Sequence, residues 1–212
     1  SLIKKAQGTP PGFPAHTPPS RHPEFSPLFF SGGRIIIIMI SQQAVLDRRE
    51  IRMYIEKYWY HYIGGTDDSL TLVDYLCDKG QAELSLSEIF ADTGLDRQHG
   101  DFRTSLDLAY TDAEGRSHEF YYAIDLVTDL AALLLESRKS GGVHISDLFD
   151  SEDRDLFVKL TATPQEAQAM NRALADFSAA PLAYDLSELM DAEDLQEMAR
   201  DCEAIRAELY EP

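Results

Sequence analysis

Residues 105–139 read SLDLAYTDAEGRSHEFYYAIDLVTDLAALLLESRK, and this stretch decides the fold class. Leu106, Leu108 and Tyr110 alternate along one side of an extended run, and His118, Phe120 and Tyr122 alternate along a second. Between them Asp112-Ala113-Glu114-Gly115 supplies a turn, so residues 105–123 predict a β-hairpin. The period then changes from two to helical. Leu126, Leu130, Leu133 and Leu134 predict a core-facing helix over residues 125–139. Asp125 and Asp129 are expected at the positive end of its dipole, Arg138 and Lys139 at the negative end, and Gly141 as the stop.

Working outward, residues 54–63 are rich in aromatics (Tyr54, Tyr58, Trp59, Tyr60 and Tyr62), and their period fits a short helix or a strand equally. After Gly64-Gly65, the polar run Thr66, Asp67 and Asp68 offers caps to a helix carrying Leu72, Val73, Leu76 and Cys77, ending near Gly80. Ser85 or Ser87 caps a shorter helix with Ile89 and Phe90, closed by Gly94. Downstream, residues 143–148 and 156–161 read as strands. Thr163-Pro164-Gln165-Glu166 combines a cap, a proline at the first helical position and a capping-box glutamate. Ala167, Met170, Leu174 and Phe177 repeat behind it at helical spacing, and Pro181 breaks the chain. Leu195, Met198, Cys202, Ile205 and Leu209 trace one narrow apolar stripe on a last helix. Strands and helices do not alternate as βαβ units. The expected class is α+β: a small antiparallel sheet including the hairpin near 105–123, packed with four to six helices.

The charge is unevenly spread. The chain of 212 residues carries a formal net charge of -18, yet residues 1–52 carry +4 and the remainder -22. Seven of the ten prolines lie at or before Pro27, and the apolar run Ile35-Ile36-Ile37-Ile38-Met39-Ile40 follows. Residues 1–52 are therefore expected to be a disordered or non-native extension, with the natural start at Met39 or Met53; a docking strand is the alternative. Residues 53–212 are expected to form one acidic domain. That charge repels nucleic acid and anionic membranes and favours a basic partner. No run of apolar residues is long enough for a membrane-spanning helix. Cys77 and Cys202, the two cysteines, read as reduced thiols on apolar helix faces.

Residue chemistry supplies no catalytic motif. The string Gly64-Gly65-Thr66-Asp67-Asp68-Ser69 could present two carboxylates to a metal or a basic partner; the plainer reading is a turn plus a helix cap. It lacks the spacing and the Lys-Ser/Thr of a phosphate loop. Asp147, Asp150, Glu152, Asp153 and Asp155 form a second acidic cluster that fails the calcium-loop pattern, since Asp155 and Thr161 stand where glycine and glutamate are required. The six histidines show no zinc-ligand spacing, so no metal or other cofactor is expected. The expected partner-binding residues are Trp59 and Tyr62, as aromatic anchors, with Asp67, Asp68, Asp74, Asp147, Asp150, Glu152 and Asp153.

The run Tyr60-His61-Tyr62-Ile63-Gly64-Gly65-Thr66-Asp67-Asp68-Ser69-Leu70-Thr71-Leu72-Val73-Asp74-Tyr75-Leu76, with Leu86-Ser87-Glu88-Ile89-Phe90 and Pro181-Leu182-Ala183-Tyr184-Asp185-Leu186, resembles a family of bacterial immunity proteins encoded beside polymorphic toxins of contact-dependent and type VI secretion systems. The resemblance covers about residues 53–212. It implies a cytoplasmic, non-enzymatic protein that binds a cognate toxin, with an acidic surface over a basic active site or substrate path. The alternatives are a small hydrolase or metal-dependent enzyme built on the Asp67/Asp68 loop, and an adaptor domain.

Overall fold

The computed structural model describes residues 53–149 and 156–211. The extension 1–52 and the acidic residues Asp150, Glu152 and Asp153 lie outside the described residues. Six α-helices are described: α1 Asp67–Lys79, α2 Leu86–Thr93, α3 Ala123–Ser140, the single turn α4 Ile145–Leu148, α5 Pro164–Ala179 and α6 Ala192–Tyr210. Five strands are described: β1 Glu83–Ser85, β2 Ala109–Thr111, β3 Ser117–Glu119, β4 Val143–His144 and β5 Phe157–Thr161. The class is α+β, as the period changes predict.

The sheets are smaller and more mixed than expected. β2 and β3 pair as an antiparallel hairpin with Tyr110 opposite His118, and stand apart from the other strands. The second sheet has the order β1-β5-β4. β4 runs antiparallel to β5, with Val143 opposite Val158, but β1 runs parallel to it, with Leu84 opposite Leu160. β1 was invisible to pattern reading because three residues, Glu83-Leu84-Ser85, bury only Leu84. The predicted strand 143–148 stops after two residues. A strand would put Asp147 on the same face as Val143 and Ile145, whereas one helical turn buries Ile145 and Leu148 together and leaves Asp147 outside.

α3 is the central element. Every residue from Ala123 to Ser137 is buried, so the helix is enclosed all round. Leu126, Leu130, Leu133 and Leu134 lie in the core as predicted, each contributing roughly 2 kcal/mol by removal from water. Enclosure also takes in three acidic side chains, Asp125, Asp129 and Glu136, and the last two accept backbone amides from irregular segments that have no ladder of their own. Asp129 Oδ1 accepts the Gly64 amide at 2.7 Å, and Glu136 Oε2 accepts the Ile55 amide at 2.9 Å. Ser137 Oγ accepts the Leu160 amide at 2.9 Å while donating to Leu133 O. Asp125 lies in the first turn and Arg138 and Lys139 in the last, as expected, and both Asp125 and Asp129 are also buried.

The caps follow the sequence. Thr66 and Ser69 form a reciprocal capping box at the start of α1, and Thr163 with Glu166 does the same for α5. Asp191 caps α6, whose stripe of Leu195, Met198, Cys202, Ile205 and Leu209 is buried. α5 and α6 pack on each other and on α3.

Candidate functional site

The aromatic segment packs inward rather than outward. It opens with a 3₁₀ turn, Tyr54–Lys57, then runs through turns to Ile63. The hydroxyls of Tyr54 and Tyr58 both donate to Glu208 on α6, the latter at 2.8 Å, and Tyr62 donates to Asp194 at 2.7 Å. The Tyr60 hydroxyl donates to Asp147 O, and Trp59 Nε1 donates to Leu148 O at 3.2 Å. Three tyrosines therefore stitch the segment along α6. Burial pushes the Glu208 carboxyl up, but bonds from Lys57, Tyr54 and Tyr58 outweigh it and hold it at about 2. Trp59 is 3% exposed. Its expected role as a surface anchor is corrected: the indole fills the space that Gly64 leaves by having no side chain.

The Gly64–Ser69 loop is a structural joint. Gly64 has φ +74°, and a Cβ there would lie 2.1 Å from the Trp59 ring. Asp67 is exposed, but Asp68 is 2% exposed. Its two carboxylate oxygens accept the amides of Tyr121 and Tyr122 at 2.9 and 2.8 Å. The start of α1 is thereby tied to the start of α3. Asp68 is thus not a surface carboxylate but an interior fastener, which also removes it from any substrate.

Beneath this joint lie two more buried carboxylates. Burial, reinforced by the Asp129 and Asp68 carboxylates, pushes Asp125 up to about 8, and burial pushes Asp129 up to about 7 against the pull of Ser69 and the Gly64 amide. Asp125 Oδ1 and Asp129 Oδ2 have no hydrogen-bond partner among the described residues. A carboxyl oxygen in that position is best carried as a neutral acid.

The hairpin holds the densest cluster of potential metal ligands. Among the described residues, ligand atoms of Asp78, Asp112 and His118 lie within 4.8 Å of one another. Tyr75, Asp78, Lys79, Asp92 and Tyr110 line a neighbouring cavity of about 490 Å³. Asp112 is already spent on the turn: Oδ1 accepts the Glu114 and Arg116 amides, and Oδ2 meets Arg116 Nε at 2.6 Å and His118 Nε2 at 2.9 Å. The His118 bond and, against burial, the Arg116 contacts hold its carboxyl well below the usual range. A guanidinium in this place opposes a cation, so the cluster reads as an ion-paired turn. Tyr110 completes it, stacking on His118 and donating to Asp78 at 3.1 Å.

The chain matches the family model described as immunity protein 68 over residues 54–209. It belongs to that family. It is therefore an immunity protein of toxin–immunity systems, a group whose members are generally not enzymes. No curated protein and no solved structure matches the chain.

Within this family member the expected binding residues are dispersed. Asp67 and Asp74 lie on α1, exposed and half-buried respectively. Asp147 is exposed on α4, and Tyr62 is half-buried against α6. The structure also leaves on the surface three side chains that the sequence does not single out, Asp107, Glu119 and Tyr121, and a fourth, Leu106, whose expected place beside Leu108 and Tyr110 is corrected: the left-handed Asp107 breaks the alternation and Leu106 is exposed. The signal for Glu119 and Tyr121 was present. Alternation that buries Phe120 must turn Glu119 and Tyr121 outward. No helix among the described residues is long and apolar enough to cross a membrane.

Proposed function

We propose that this immunity protein is a non-catalytic inhibitor that binds its cognate toxin in the cytoplasm and covers a basic active site or substrate path with an acidic surface. The observation that carries the reading is the charge of the family-matching body, where residues 53–212 hold -22 against +4 in the extension. A field of that size steers a cationic partner into encounter and repels anionic competitors. Asp67, Asp74 and Asp147 contribute exposed or half-exposed carboxylates to it. The enzyme alternative loses support from Asp68, whose carboxylate is buried and occupied by two amides.

Two measurements test the proposal. Co-expression with the toxin encoded beside the gene should restore growth of a susceptible host. Association of the purified pair should slow steeply as salt rises. Growth arrest unrelieved by the immunity protein would overturn the inhibitor reading. A rate indifferent to salt would overturn its electrostatic part.

A further inference from the structure

We infer that the toxin seats on the outer face of the β2–β3 hairpin, with a lysine or arginine of the toxin held between Asp107 and Glu119 beside the exposed ring of Tyr121. This inference rests on the inhibitor reading above and assigns it a face.

The hairpin ladder runs past its strands, because the Phe120 amide donates to Leu108 O at 2.9 Å. Beyond that bond the chain bends at Asp107 and Tyr121, which flank the Ala109–Glu119 pair at the open end of the hairpin. Leu108, Tyr110 and Phe120 enter the core, and Leu106, Asp107, Glu119 and Tyr121 face solvent. A shallow groove of about 330 Å³ opens on that face, lined by Asp107, Leu108, Ala109, Glu119 and Phe120. Leu108 and Phe120 turn their side chains into the core, so its base is main chain with the Ala109 methyl, and Asp107 and Glu119 supply two carboxylates beside it. Two charges of one sign there suit the cationic head of a lysine or arginine.

Two large apolar side chains stand uncovered beside the groove: Tyr121 is 62% exposed and Leu106 65%. A tyrosine with its ring in water and its backbone fixed resembles the rigid aromatic anchors that dominate interfaces. The Tyr121 backbone is fixed, since its amide is bound by buried Asp68. Neither Asp107 nor Glu119 has an ion-pair partner among the described residues, so their charge is available to a cation from outside. The nearest cation on this edge, Arg97, donates to the Asp107 carbonyl instead.

A larger groove of about 850 Å³ lies between α5 and α6 beneath Leu182. Small residues such as Ala180, Ala183 and Ala199 line it, and its charged residues are Arg200 and Glu203, the latter paired with Arg206. It lacks the one-sign charge a basic partner would select, and it serves as the rival face in the test.

The test measures binding of the full chain to the toxin encoded by the adjacent gene, with the toxin's catalytic residue silenced. Tyr121→Ala should weaken affinity about tenfold or more. Glu119→Lys and Asp107→Asn should slow association at low salt, with the difference fading at high salt. Asn is chosen for residue 107 because its φ of +50° lies in the left-handed region, which Asn tolerates. Leu182→Ser in the rival groove should bind as wild type. If wild type binds but Tyr121→Ala and Glu119→Lys bind equally well, the face assignment is overturned and the inhibitor reading stands. If wild type does not bind, the inhibitor reading falls and the assignment with it. Thermal melts check that each variant folds. Hydrogen exchange on the wild-type complex gives a readout independent of mutation: protection over residues 106–121 supports the assignment, and protection confined to residues 178–203 overturns it.

Discussion

Asp125 makes folding take up a proton, and replacing it should change how stability depends on pH. In the native protein burial, with help from the Asp129 and Asp68 carboxylates, pushes its carboxyl up to about 8 from an ordinary 3.8. A carboxyl raised on folding gives stability that is fully present below 3.8 and is lost as pH rises through about 8. Between those limits the native state holds the proton and the unfolded chain does not. Each pH unit then costs about 1.4 kcal/mol, so the rise from about pH 5 to about pH 7 costs roughly 3 kcal/mol from this group alone. Asp125→Asn keeps the shape and removes the titration. Urea unfolding of wild type and variant at several pH values in that window gives the two slopes. The wild-type slope should be steeper by about 1.4 kcal/mol per pH unit. Parallel slopes would show that Asp125 is ionised in the native state, and the reasoning from its unpartnered oxygen would be wrong.

Other consequences are simpler to read. Gly64→Ala should destabilise by about 3 kcal/mol, because it combines a left-handed backbone with a collision against the Trp59 ring; the thermal midpoint reports it. Asp68→Ala should cost about 3 kcal/mol by orphaning the Tyr121 and Tyr122 amides, and Asp68→Asn, which keeps one acceptor oxygen, should cost less in the same unfolding titration. Thr163→Ala removes the cap of α5 and should cost about 1 kcal/mol in chemical denaturation.

Local signals were the legible part of this fold. The hairpin, α3, α5 and α6 could be read because a period, a cap and a stop coincided, as in Thr163-Pro164-Gln165-Glu166. The segments that failed were those settled by distant partners. β1 exists because Leu84 pairs beside Leu160, more than seventy residues away, and nothing near Leu84 announces this. The aromatic run 54–63 was undecidable by period because its conformation is set by hydrogen bonds to α6 and by Gly64. The candidate site divided the same way. Asp67 and Asp68 are neighbours of one chemistry, yet one faces water and the other binds two amides. The turn of a helix separates them, and only the position of the α3 start decides which carboxylate is spent. Trp59 and Tyr62 looked like anchors because aromatic residues serve interfaces and cores alike; Tyr121, with the same chemistry, was passed over although strand alternation turned it outward.

Trp59 is the chain's single tryptophan, and its enclosure between Gly64 and Leu148 makes it an optical witness to one event. Shielded from water, the indole should emit at short wavelength and shift to longer wavelength only when residues 54–63 peel away from their seat. A toxin seated on the hairpin, as inferred above, would leave that environment untouched. The emission of Trp59 would then report the integrity of this seat in the free protein and, with a tryptophan-free toxin variant, throughout a binding titration.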